Sequence, residues 1–154
     1  MKLDYREQGK VKIDMTDYLK ENLDELPDKY QGRAITPAAN HLFKVNETAP
    51  KLSDKDAQAF HTFVTKLIFL CKRSWPDILT GVTFLTTRAR EPNEDDDNKL
   101  SRILKYISGK RDLVLTLESD GTSTVKWWLD VAFAVNHDMK SHTDVMMLIG
   151  RGVL

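Results

Sequence analysis

Cysteine is nearly missing from these 154 residues: Cys71 stands alone. One thiol cannot make an internal disulfide, so no disulfide framework holds the chain, and the count fits a reducing, intracellular compartment. Long apolar runs are missing as well. The longest, around residues 67–71, is flanked by Lys66, Lys72 and Arg73 and falls far short of the ~20 residues that span a bilayer. A membrane partner is therefore not expected. The opening MKLDYREQGK is charged throughout, unlike a secretory signal. Net charge of either sign is absent too, because 23 Lys and Arg balance 23 Asp and Glu. Strong phosphate binding draws on a surplus of basic residues that releases counterions. Any nucleic-acid contact must then come from a local patch. The chain has no P-loop, no GxGxxG, no internal repeat and no low-complexity segment.

What is there suits a soluble globular protein of one domain or two small pieces, with 41% hydrophobic and 30% charged residues. Residues 3–15 read as a small hairpin turning at Gly9. TDYLKENLDEL follows as a helix, with Thr16 as its N-cap and Pro27 ending it. Residues 27–53, holding Pro37 and Pro50, read as a long connection of a kind uncommon inside one compact domain, joining parts that pack on something larger. Ser53 opens a helix whose buried stripe is Ala57, Phe60, Val64, Leu67, Ile68 and Cys71. Ser74 and Pro76 start another, although ILTGVTFLTTRAR is rich in β-branched residues. Leu100, Ile103, Leu104 and Ile107 mark an amphipathic helix over 98–108, which Gly109 closes as a left-handed cap. The pattern then alternates. LVLTLE (113–118) and TVKWWLDVAFAV read as a two-stranded hairpin across SDGT, and TDVMMLIG as a third strand. The class is α+β.

Inside WWLDVAFAV a lone acid, Asp130, interrupts an apolar strand. Val125, Trp127, Leu129, Val131, Phe133 and Val135 share one face, which reads as core. Asp130 shares the other face with Trp128, Ala132 and Ala134, where small neighbours leave room for a ligand. An exposed acid on a solvated face is the blander reading, since a carboxylate buried without a partner costs several kcal/mol. Glu94, Asp95, Asp96 and Asp97 lack calcium-loop spacing and suit a helix N-terminus. His137, Asp138 and His142 fall short of the four ligands of structural zinc. His41 and His61 have no partner motif, and Cys71 sits on an apolar stripe as an inert thiol. Arg102, Lys105, Lys110 and Arg111 form a modest basic group that could touch phosphate, or simply suit a helix C-terminus.

VTKLIFLCKRSWPDI, TRAREPNEDDDNKLSRILKYISGKRDLVLTLESDG and WWLDVAFAVNHDMKSHT together resemble the copia-type retrotransposon polyprotein, where the reverse transcriptase ends and ribonuclease H begins. The likeness rests on Pro76-Asp77-Ile78, on Arg102-Ile103-Leu104-Lys105-Tyr106-Ile107 with Gly109, and on Asp130-Val131-Ala132-Phe133-Ala134. TPAANHLF (36–43) resembles the segment that precedes these blocks. The departures are Trp75 before the proline, Val131 after the acid, and Asp144-Val145 in place of glycines. The resemblance implies a distal reverse-transcriptase segment over 1–110, made of a hairpin and helices. It implies a truncated ribonuclease H-like sheet of three strands over 111–154. It makes Asp130 the first of several magnesium-binding carboxylates. The partner acids would fall past Leu154, and the paired polymerase aspartates upstream of Met1. The implied cofactor is Mg2+, not bound productively by one acid, and the implied partner is an RNA/DNA hybrid, with the remainder of the polyprotein needed for folding. The expectation is a chain that neither polymerises nor cleaves alone, or else a non-catalytic module that holds nucleic acid or protein through the basic group and the Trp127-Trp128 pair.

Overall fold

The computed structural model describes residues 1–122, 124–132 and 142–151. They form two compact units. One is Met15–Leu113 together with Met1; the other is Lys2–Asp14 with Val114–Leu154. The N-terminal hairpin, read above with the first segment, thus belongs to the second unit.

The first unit is helical. It contains α1 (Thr16–Asp24), α2 (Asp54–Cys71), α3 (Leu79–Arg88) and α4 (Glu94–Ser108), with 3₁₀ turns at Asp28–Tyr30 and Pro76–Ile78. The core is built from Phe60, Val64, Leu67, Trp75, Ile78, Val82, Leu85, Leu100, Ile103 and Ile107, all buried. Ser53 caps α2 by accepting from the Asp56 N–H. Thr16 does not cap α1; that helix begins at Thr16, and its flanking residue Met15 makes no side-chain cap bond. The β-branched stretch of α3 is helical because Val82, Phe84 and Leu85 all find core. Its threonines turn their hydroxyls back on their own helix, Thr86 to the Thr83 carbonyl at 2.6 Å and Thr87 to that of Phe84 at 2.7 Å. Packing outweighs a propensity deficit of a few tenths of a kcal/mol per residue. Gly81 lets α3 approach α4 closely, since a Cβ there would meet Ile103 Cδ1 at 3.1 Å.

Residues 27–53 do not reach away to join distant parts. They lie along α4 within the same unit. Ala34 N–H donates to the Lys105 carbonyl at 3.3 Å, and Glu94 N–H to that of Pro50 at 3.0 Å. Asn93 Nδ2 donates to the Asn46 carbonyl at 2.8 Å, and Lys99 Nζ to that of Lys44 at 2.5 Å. Tyr30 and Leu42 enter the core. These polar ties depend on partners 40 or more residues away, which no local pattern announces. Gly109 is a second correction. It ends α4 at φ −77°, in the right-handed region, and its N–H donates to the Lys105 and Tyr106 carbonyls at 3.3 and 3.2 Å.

The second unit holds β1 (Lys2–Asp4), β2 (Lys10–Asp14), β3 (Leu115–Glu118), β4 (Val125–Ala132) and β5 (His142–Ile149). Gly9, at φ +78°, makes the β1–β2 turn. The LVLTLE strand does not pair with β4 as the sequence suggested. It pairs antiparallel with β2, Val11 opposite Leu117 and Ile13 opposite Leu115, giving a sheet ordered β1-β2-β3. Matching apolar alternation on two strands a hundred residues apart fixes this register. β4 and β5 pair with each other as a separate two-stranded ribbon. The three-stranded ribonuclease H-like sheet expected over 111–154 is therefore not among the described pairings. Gly150, at φ +76°, ends β5 against β3: a Cβ there would lie 2.2 Å from the Glu118 carbonyl oxygen, which accepts from the Arg151 N–H.

Candidate functional site

The basic group read from the sequence is split by the helix that carries it. Lys110 Nζ donates to Tyr106 Oη at 2.7 Å and sits over that ring. Tyr106 is buried and donates in turn to Asp77 Oδ2 at 2.5 Å, with its ring edge-on to Trp75. Arg111 faces Asp24 at 3.7 Å. Arg102 and Lys105 lie elsewhere, along the flank of α4 covered by residues 32–42. Arg102 Nη2 donates to Thr36 Oγ1 at 2.9 Å. The Lys105 stem runs past Gly32, where a Cβ would touch it at 3.5 Å. Arg33 reaches the end of the same flank, beside Gly109. Among the described residues no carboxylate pairs with Arg33, Arg102 or Lys105. The four cations named from the sequence are thus two fixed by partners and two free of carboxylates, with Arg33 the residue the pattern missed.

Three of the four clustered acids at the start of α4, Asp95, Asp96 and Asp97, have side-chain partners. Asn93 and Asp96 form a capping box, the Asn93 side chain accepting from Asp96 N–H at 3.0 Å and the Asp96 carboxylate accepting from Asn93 N–H at 3.1 Å. Asp96 is 1% exposed and also takes the Arg88 Nε at 3.2 Å. Asp95 pairs with Lys99 at 2.8 Å. Asp97 accepts from Tyr30 Oη at 2.5 Å and from Lys29 Nζ at 2.9 Å. Burial, and then the bond to Asp97, push the Tyr30 hydroxyl well above its ordinary range. Burial works against the Lys29 charge, yet Asp97, Tyr30 and Asp56 together outweigh it and raise the ammonium above its usual value. The Ser53 hydroxyl and Lys29 hold Asp56 below its ordinary value. Burial lifts the Cys71 thiol to about 11, which suits an unreactive core residue.

Asp130 lies in β4, and the backbone register sets it directly opposite Asp144 of β5. Two acids therefore occupy one cross-strand position, a pairing that like charges disfavour in general. The sequence showed Asp144 only as a departure from glycine; strand pairing alone reveals its neighbour. His137 and Asp138, with Phe133, Ala134 and Val135, lie outside the described residues. Among the described residues no group of three or more His, Cys, Asp or Glu could hold a metal ion. Two-metal chemistry needs several carboxylates around its ions, so the described residues do not make up such a magnesium site.

The face of β4 assigned to the core from its alternation is open. Val125, Trp127, Leu129 and Val131 are all exposed, Leu129 at 69% and Trp127 at 57%. Across the ribbon Leu129 faces Val145, also exposed. Alternation correctly identified an apolar face, and a two-stranded ribbon supplies nothing to cover it. Trp128 is exposed on the opposite face, so the tryptophan pair cannot act on one surface. Among the described residues no helix is long and apolar enough to cross a membrane.

No protein-family profile, curated protein or solved structure matches this chain.

Proposed function

We propose that this chain is a segment of a copia-type retroelement polyprotein, running from the distal reverse-transcriptase region into the start of a ribonuclease H-like domain, and that by itself it neither polymerises DNA nor cleaves RNA. The order and spacing of four sequence blocks support this reading. The observation that carries it is that two of those blocks meet: Tyr106 of the RILKYI block donates to Asp77 of the PDI block at 2.5 Å. Residues separated by 29 positions and named only for their likeness to one family form a single part-buried contact. The uncovered apolar face of β4 agrees with a sheet that is completed by other chain. An intracellular setting and an RNA/DNA hybrid as the parent enzyme's substrate belong to the same proposal.

The test is direct. Purified full chain, incubated with a labelled RNA/DNA hybrid and magnesium, is expected to leave the RNA intact. Magnesium-dependent cleavage that Asp130→Asn abolishes would overturn the reading of a silent segment.

A second reading, a non-catalytic module that holds nucleic acid, is favoured by the flank of α4. Arg33, Arg102 and Lys105 stand there without carboxylate partners among the described residues, although the chain as a whole has no surplus of positive charge. Binding of single-stranded oligonucleotide that strengthens as salt falls would support it.

A further inference from the structure

Between residues 37–42 and α4 lies an open cavity of about 130 Å³, lined by Pro37, Ala38, Leu42, Asp95, Lys99 and Arg102, among others. Its floor is apolar and its rim polar, with His41 and Asn98 exposed at the edge. Lys99 is buried and spoken for: its ammonium donates to the Lys44 carbonyl and pairs with Asp95. That pair is close to neutral, so Asp95 does not repel an anion as a free acid would. Arg102 is different. Thr36 donates its hydroxyl to the Ala38 carbonyl at 3.0 Å, which leaves the oxygen lone pairs to receive Arg102 Nη2 and fixes the guanidinium against the pocket. The Arg102 Nε is shut off from solvent and has no hydrogen-bond partner. A buried donor without an acceptor costs about 1–3 kcal/mol, and among the described residues no carboxylate offsets the charge of this guanidinium, which lines the cavity. A guanidinium edge is suited to an oxyanion.

We propose that this pocket takes one backbone phosphate of a single nucleic-acid strand, with Arg102 as its donor and the Pro37–Ala38 floor against the neighbouring sugar. The proposal deepens the second reading above and names its site. The arrangement of charge favours phosphate over a peptide carboxylate. A lone carboxylate needs only Arg102. Here the cations continue from Arg102 to Lys105 and on to Arg33 beside Gly109. A nucleic-acid strand carries a charge at every nucleotide, so a row of cations along one flank matches a polyanion rather than a point charge.

The test uses the full chain and a fluorescently labelled single-stranded 12-mer, with binding read by anisotropy over a series of salt concentrations. Arg102→Gln is expected to weaken binding at least tenfold for every sequence tried. It should flatten the plot of log affinity against log salt by ~0.7, the loss of one single-strand phosphate contact. Asn98→Glu, on the exposed rim, adds a charge without touching the core and should weaken binding in the same direction even if the arginine variant fails to fold. Lys55→Gln, exposed on α2, serves as the control and should leave affinity unchanged. Inorganic phosphate is expected to compete better than succinate at equal ionic strength. If the oligonucleotide binds Arg102→Gln and Asn98→Glu as it binds the parent, the pocket is not the site, while the binding-module reading survives. If the parent binds no oligonucleotide at low salt, both fall. If succinate competes as well as phosphate, the pocket is a carboxylate site and the proposal is overturned.

Discussion

The helical unit and the β4–β5 ribbon treat apolar residues in opposite ways. In the first, Phe60, Trp75 and Ile78 lose their contact with water, and even Asp96 is enclosed with its partners. In the second, Trp127, Leu129, Val131 and Val145 remain in water on one face of a two-stranded ribbon. The ribbon strands are, residue for residue, richer in apolar side chains than the helical unit. What differs is the number of elements available to cover a face. Four helices close on one another; a pair of strands makes one layer, and among the described residues nothing covers its apolar face.

The sharpest way to break that contrast is truncation on both sides of it. Phe60→Ala or Trp75→Ala is expected to cost about 3–5 kcal/mol, as large-to-small core changes do. Leu129→Ala should stay within about 0.5 kcal/mol, the range of surface changes. Urea unfolding measures both, and an equal cost for Leu129→Ala would mean that its face is covered after all.

The polar interior gives the next largest effect. Asp96→Ala removes the acceptor for Asn93 N–H and the partner of Arg88, and about 1–3 kcal/mol should be lost from the helical unit. Tyr30→Phe, which takes one hydroxyl from Asp97, should cost about 1–2 kcal/mol at neutral pH. It also carries a pH signature. The folded Tyr30 hydroxyl titrates above its unfolded value. The stability it contributes is therefore complete below the unfolded tyrosine value near ~10 and is lost as pH rises through the folded one. Unfolding measured from pH 8 to 11 should show a shallower alkaline fall for Tyr30→Phe than for the parent.

Two smaller readouts sharpen the contrast without unfolding anything. Trp127→Ser with Leu129→Ser should lower the fluorescence of a dye that binds exposed apolar surface, while the melting of the helical unit stays put. Cys71, buried and lifted to about 11, should resist a thiol reagent at pH 8 and react only at the rate of unfolding. Fast labelling of the native chain would show the core of α2 to be open.

Much of this was legible in advance where the cause was local. The helical spacing of Leu100, Ile103, Leu104 and Ile107, the Ser53 cap, the turn at Gly9 and the period-two runs of β3, β4 and β5 all act within a few residues. The candidate site was legible only in part. Arg102 and Lys105 were visible as charges, but the pocket beside Arg102 is made by Pro37, Ala38 and Leu42, some sixty residues earlier, with Thr36 holding the guanidinium. Arg33 carried no signal at all, because its position beside Gly109 follows from how residues 27–53 lie along α4.

The sequence by itself determined which segments coil, which extend, and which of their faces are apolar, because those properties follow from side-chain spacing of 3.6 or 2. Tertiary structure alone decided what each face meets: β3 beside β2 rather than β4, Asp144 across from Asp130, and water against Trp127. The reason is physical. Periodicity says that a face prefers to leave water, while only the placement of distant chain says whether anything arrives to cover it.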